Sequence, residues 1–420
     1  MAANPSDAVD VYIRDTSIPY GVAEIVERLP AWDELSSDVS EARLNFSDRY
    51  VYRTGLVALA TWRKTLPKHV SVRIYDARCT DAARRLITNS GFRELVEDNA
   101  ETPSSYRSNR VPIQPLIRGH SAHQTISDIQ RTFEQSVGGI DNPAFKALMS
   151  ELCENTFAHS DFVSPGYIVA GIQAGAYRDM CEIAIADPGI GIRSSYLEGT
   201  NGEAKIRIAN GASAIELALD GLTSSKPTPP PGSVRSGRGF GLFIVRRLIE
   251  ENEGKLTIIS GDEAVTLDRR AKSRQKLARP WSGTFVGITI DLNNPLPLDA
   301  VYEEGVDALV PPAAGPTADI PAPAEREIEL AGYGIQLLTR EVGVGIRADI
   351  GTGLVSGANV RVLLDGVEDV TPSVADECFG KLAESMGEES YRSRIRLVGG
   401  QPLLLRLIEF VVRQRVGGQS

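Results

Sequence analysis

Residues 311 to 325, PPAAGPTADIPAPAE, cannot lie in a helix interior or a central strand. Proline fixes φ and donates no backbone hydrogen bond, and no apolar period runs through the segment, so it reads as an extended, semi-rigid linker. A chain of 420 residues interrupted there must build separate cores. A second break falls at residues 101 to 112, ETPSSYRSNRVP, where polar residues and proline separate two periodic regions. The expected organisation is a first unit at residues 1 to 105, a middle unit at 115 to 300, a linker at 301 to 327 and a third unit at 328 to 420. Each unit has the size of a small domain.

Both flanks alternate β-rich and helical patterns. In the first, ARLNF (42 to 46) and VSVRIYD (70 to 76) read as strands, with helices over 54 to 66 and 81 to 90. In the third, 359 to 364 and 393 to 398 read as strands, with helices over 374 to 386 and 403 to 415. The middle unit interleaves a helix at 144 to 160, β-rich runs at 167 to 172 and 181 to 186, an apolar helix from 242 to 250 and the strand-like GTFVGITIDL. Its link from 172 to 181 is too short for a helical crossover, which predicts a mixed, partly antiparallel sheet.

With 45 Lys and Arg against 55 Asp and Glu, the net charge of −10 argues against a general nucleic-acid partner, because neutralising phosphates needs a surplus of basic residues. No run of eighteen apolar residues and no basic-then-apolar start occurs, so neither a membrane span nor a signal peptide is expected. Cys79, Cys153, Cys181 and Cys378 lack paired or metal-like spacing, which suits a reducing compartment and a cytoplasmic location.

Chemistry concentrates in the middle unit. On the helix 144 to 160, Phe145, Leu148, Leu152 and Phe157 can share a buried stripe, while Glu151, Asn155 and His159, four residues apart, project from nearly one other face. A carboxylate there can deprotonate a nucleophile, and an amide oxygen one turn on can take a position on Mg²⁺. A merely solvated polar face has the same spacing. In DPGIGI, Asp187 ends an apolar run and can accept from an exocyclic amino group, while Gly189 and Gly191 let backbone approach a ligand. An ordinary Asp-Pro-Gly turn is the alternative. In GRGFGL, Gly237, Arg238, Gly239, Phe240, Gly241 and Leu242 lead into the apolar helix, where exposed N–H groups and the guanidinium can hold an anion. The preceding SSKPTPPPGSVRSG is polar and Pro-rich and suits a lid over phosphates.

In this order and spacing, ELCENTFAHS, DPGIGI, GRGFGL and GTFVGI resemble the N box, two glycine boxes and closing strand of the ATP-binding domain shared by gyrase, the heat-shock chaperone of the same fold, histidine kinases and MutL, over about residues 120 to 295. The resemblance implies a Bergerat-type α/β sandwich, a mixed sheet covered by helices, within an α/β multidomain chain. It further implies that Asn155 holds Mg²⁺, Asp187 reads the adenine amino group, Gly189 and Gly191 shape the adenine pocket and Gly237 to Gly241 clamp the phosphates. His159 and Leu242 would join that ATP-contacting set, Thr284 would support the adenine, and Glu151 matches the water-activating base of the ATPase branches.

The motifs imply ATP without naming what receives the phosphate. His120 and His123 lack the surroundings that resemble a histidine-kinase acceptor helix. The segment NVRVLLDGVEDVTPSVADECFGKL resembles the STAS-like module related to anti-anti-sigma factors, over about residues 330 to 418. That resemblance implies a phosphoacceptor among Thr371 and Ser373. Ser373-Val-Ala-Asp376 equally fits an N-cap with a capping box. The first unit resembles the same plan more faintly, departing at Tyr52-Arg53-Thr54-Gly55, which leaves it packing against the ATP-binding domain or docking a partner. Two active readings remain: an ATP-driven switch acting on a regulatory protein, another STAS-like or sigma-regulatory protein or a second copy of the chain, and a serine/threonine kinase resembling anti-sigma-factor kinases. A scaffold with a purely structural nucleotide site is the third, disfavoured by Glu151, Asn155 and Asp187.

Overall fold

The computed structural model describes residues 8–17, 20–30, 39–47, 51–102, 113–116, 143–159, 166–174, 179–199, 202–220, 240–269, 271–294, 296–297, 301, 325–337, 340–355 and 358–416. The first unit runs β1 (Ala8–Ile13), α1 (Tyr20–Arg28), β2 (Glu41–Phe46), α2 (Arg53–Thr65), β3 (Ser71–Tyr75), α3 (Asp81–Asn89) and α4 (Phe92–Val96). Its strands are parallel in the order β1-β2-β3, with Val11 opposite Leu44 and Leu44 opposite Ile74. Alternation fixes the faces: Val11, Ile13, Ala42, Leu44, Phe46, Val72 and Ile74 are buried, whereas Tyr12 and Tyr75 stand exposed. Phe46 and Phe92 meet edge to face with centroids 6.1 Å apart.

The middle unit comprises β4 (Gln114–Leu116), α5 (Pro143–His159), β5 (Gly166–Ala174), β6 (Asp179–Asp187), α6 (Gly191–Glu198), α7 (Gly202–Ala209), α8 (Ala214–Leu219), α9 (Phe240–Glu251), β7 (Lys255–Asp268) and β8 (Lys272–Asp291). Its sheet has the order β4-β5-β6-β8-β7. The expected mixed sheet is corrected here, because every pairing among the described residues is antiparallel. The physical reason is connectivity: β5 and β6 are joined directly, and the helices α6 to α9 return the chain beside β8 from the opposite end.

Both faces of this sheet are buried, against different parts of the chain. Ile168, Ala170, Ile183, Ile185 and Ile288 share one core with Leu148, Leu152, Ile244 and Leu248 from α5 and α9. The alternate residues Tyr167, Val169, Ala184, Ala186 and Phe285 share the other core with Leu56, Leu59 and Trp62 from α2 of the first unit. Thr61 Oγ1 donates to the Ala186 carbonyl at 3.5 Å across that seam. Glu182 of β6 is buried and accepts the Arg53 backbone N–H at the start of α2; burial pushes its carboxyl up to about 7 against the pull of the Arg53 guanidinium. The first unit thus forms the second cover of the sheet, which matches the packing role expected from its sequence.

The third unit holds β9 (Glu325–Glu329), a 3₁₀ turn (Leu330–Tyr333), β10 (Gln336–Leu337), α10 (Arg340–Val355), β11 (Asn359–Leu363), β12 (Asp369–Val370), α11 (Pro372–Ala375), a π-helical turn (Asp376–Gly380), α12 (Lys381–Met386), α13 (Glu388–Arg394), β13 (Ile395–Val398) and α14 (Pro402–Val416). β9, β11 and β13 are parallel in that order, the plan already seen in the first unit. The strand β9 begins at Glu325 and so takes the last three residues of the linker expected at 301 to 327. Val360, Val362, Val374, Phe379, Leu407 and Val411 are buried in a core continuous with that of α5 and α9. Charges buried there are paired: Arg415 reaches Asp376 at 2.6 Å and Glu384 at 2.7 Å, and Glu377 meets Lys381 and Arg347, the latter at 2.9 Å. All four cysteines are buried and none is in a disulfide, and no described helix is long and apolar enough to cross a membrane.

Candidate functional site

Pro143 opens α5 at its first position, where its missing N–H costs nothing, and Ala144, Phe145, Leu148, Met149, Leu152 and Cys153 seat one face in the core. Phe157 and His159 lie within the helix, with side chains outside the described residues. Glu151 is not on a solvated face: it is 4% exposed, despite being a carboxylate. Asn155, one turn on, has a buried amide nitrogen with no hydrogen-bond partner among the described residues. A buried polar group left in that state costs about 1–3 kcal/mol, which a ligand can recover.

The last residue of β6, Asp187, stands opposite Thr284 of β8 and is 4% exposed. Its Oδ1 accepts the Gly189 N–H at 2.8 Å, and its carboxylate also accepts the Thr284 N–H. Burial nevertheless pushes the carboxyl up to about 7, the desolvation of the charge outweighing both bonds. Thr284 is partly buried beside it. Gly191 starts α6 at φ +75, and a Cβ there would sit 2.8 Å from Ser260 Oγ and 2.9 Å from the Gly283 carbonyl. Ser260 ties this corner together, its Oγ accepting the Ile192 N–H at 2.8 Å and donating to the Gly283 carbonyl at 2.9 Å. Sequence reasoning missed Ser260; the only local signal is a hydroxyl at the end of the apolar run LTII.

Gly283 is the tightest point, with φ +95 and an added Cβ overlapping the Asp187 carbonyl oxygen and crowding the Gly189 nitrogen at 2.6 Å. Both neighbours are backbone and cannot swing away. Gly283→Ala is therefore expected to lower stability by about 2–4 kcal/mol, read as a drop in the denaturant midpoint at unchanged slope. A midpoint shift below a few tenths of that would show that the corner is loose.

Of the second glycine segment, Gly237, Arg238 and Gly239, and the lid segment Lys226 to Ser236, lie outside the described residues, as do His120 and His123. Phe240 begins α9, with its side chain outside them too; Leu242 is half-buried and packs on the core. Gly241 abuts α5 so closely that a Cβ would collide with Glu151 Oε2. The other carboxylate oxygen of Glu151, Oε1, accepts from the hydroxyl of Ser373 at 3.2 Å. The capping reading of Ser373 is corrected: Thr371 is the N-cap, its Oγ1 accepting the Val374 N–H at 3.3 Å, because Pro372 takes the first helical position.

Glu151, Asn155, Asp187, Thr284 and the glycines 189, 191 and 241 thus come from α5, the β6–α6 corner, β8 and the start of α9. Residues 140–294 match the family described as "Histidine kinase-, DNA gyrase B-, and HSP90-like ATPase". The middle unit is an ATP-binding domain of that type. No curated protein matches the chain.

Proposed function

We propose that the chain is a regulatory or signalling protein in which Mg-ATP, bound and hydrolysed at the middle unit, switches the arrangement of the two flanking α/β units and so controls a protein partner. The observation that carries this reading is the burial of both layers of the ATP-binding domain by the flanks: α2 covers one face of the sheet, and the third unit reaches Glu151 behind the other. A change in the nucleotide site then has a rigid packed route to each flank.

The residues present suit the group. The amide of Asn155, whose nitrogen has no hydrogen-bond partner among the described residues, offers the hard oxygen Mg²⁺ prefers, and Mg²⁺ would neutralise phosphate charge when bound. Asp187 would orient the adenine through its exocyclic amine, Gly189, Gly191 and Thr284 would wall that pocket, and Gly237 to Gly241 with Arg238 would take the phosphates. Glu151 would hold the proton of the attacking group. The flanks are read as STAS-like modules, and the partner as a regulatory protein of that or a sigma-regulatory kind.

Mg-ATP at a hundred times its dissociation constant is expected to add about 2.7 kcal/mol of stability. Thermal or chemical unfolding of the full chain, with and without Mg²⁺, measures it; a folded protein with no shift would count against the site. Hydrogen exchange in α2 and α11 should change on ATP addition, and identical exchange would reject the switch.

A second reading is a serine/threonine kinase acting on a STAS-like domain in cis or in trans. The approach of a hydroxyl from the third unit to Glu151 favours it.

A further inference from the structure

We propose that Ser373 is the intramolecular phosphate acceptor of this ATP site and that Glu151 takes its proton. The inference rests on the reading of the middle unit as an ATP-binding domain.

Two hydroxyls stand at the start of the helix that begins with α11, and the structure gives them different work. Thr371 is 1% exposed and its oxygen is committed to the Val374 N–H, so it caps the helix. Ser373 lies past the cap, is only partly buried, and donates to Glu151 Oε1 at 3.2 Å across 222 residues of sequence. That separation is the reach a general base needs for the proton it removes, about 2.6–3.2 Å between heavy atoms.

The base is placed for that task. Glu151 is buried on α5, one turn before Asn155, whose amide nitrogen has no hydrogen-bond partner among the described residues. Its second oxygen lies against Gly241, where any side chain would displace the carboxylate or the helix. One carboxylate therefore joins the first turn of α9 to the hydroxyl of another unit. A serine that served only to pin the two units together would not need that carboxylate: α9 and the third unit already share an apolar core, through Ile244 and Leu248 on one side and Phe379 and Leu407 on the other.

The reaction balances without a further reagent. The Ser373 oxygen attacks the γ-phosphorus of ATP, the Oγ–P bond forms, the bond from that phosphorus to the β,γ-bridging oxygen breaks, and ADP leaves. The hydroxyl proton passes to Glu151 and from there to water. The product carries about −1.5 to −2 charges beside a buried carboxylate, so like-charge repulsion would drive α11 away from α5. Phosphorylation would thereby release the third unit from the ATP-binding domain.

The test uses the full chain with Mg²⁺ and γ-labelled ATP, the Ser373→Ala and Glu151→Gln variants, and nucleotide affinity measured in parallel. Acid-stable label on the protein, mapped to Ser373, appearing at a rate per molecule independent of protein concentration, and reduced at least a hundredfold in both variants at unchanged ATP affinity, is the expected result. Label retained in Ser373→Ala, or released only as free phosphate by protein that binds ATP, would overturn the acceptor. No ATP binding by the folded wild type would overturn the nucleotide reading itself. Without nucleotide, Ser373→Asp should raise amide exchange in residues 371 to 380 about tenfold over wild type, and equal exchange would overturn the release step.

Discussion

Asp187→Asn is expected to weaken ATP binding by about ten- to a hundredfold, the loss of a hydrogen bond to a charged acceptor worth about 1.5–3 kcal/mol. Asn can still accept the Gly189 N–H through its oxygen, but its amide nitrogen then faces the ligand's amine, donor against donor. Titration with a fluorescent ATP analogue measures it, and unchanged affinity would remove Asp187 from the pocket. The pH dependence sharpens the test. Burial raises the Asp187 carboxyl from 3.8 to about 7, so between those values the folded protein holds a proton that the unfolded chain has released. Its contribution to stability therefore falls as pH rises through that window and levels off above about 7. Binding of a ligand that needs the ionised acceptor runs the other way, tightening from pH 6 to 8, and Asp187→Asn should abolish that slope.

Glu151→Gln is expected to slow phosphate transfer, to water or to protein, by about two to four decades, the usual loss of a general base. Gln keeps the size of the side chain, so the contacts with Gly241 and Ser373 remain filled, and nucleotide affinity should change little. Single-turnover measurement with bound ATP separates the two quantities. Undiminished turnover would take Glu151 out of the mechanism, whereas lost binding would make it a structural support of the pocket.

The parts of this site that a reader of the sequence can find are those written in short periods. Spacing of four places Glu151 and Asn155 on one face of α5, an apolar run ending in Asp187 becomes β6, and Gly191 takes the positive φ that its position after the turn requires. The strand β9 was hidden because EREIE has little apolar signal until it pairs with β11. The antiparallel sheet was only half legible, since the short link at 174 to 179 determines β5 with β6 but not where β7 and β8 return.

Burial is what sequence left open. The same Glu151 that could be a solvated residue becomes a desolvated carboxylate because α9 and the third unit close over it, and Pro372 at the first helical position takes the cap from Ser373, where the sequence placed it, to Thr371. Ser260 and the covering of the sheet by α2 follow the same rule. Local propensity and periodicity are encoded within a few residues of the chain, and they determined the helices, strands and glycine turns here. Contacts such as Ser373 with Glu151 depend on how whole units pack, and only the folded arrangement brings residues so far apart in sequence within a hydrogen bond of each other.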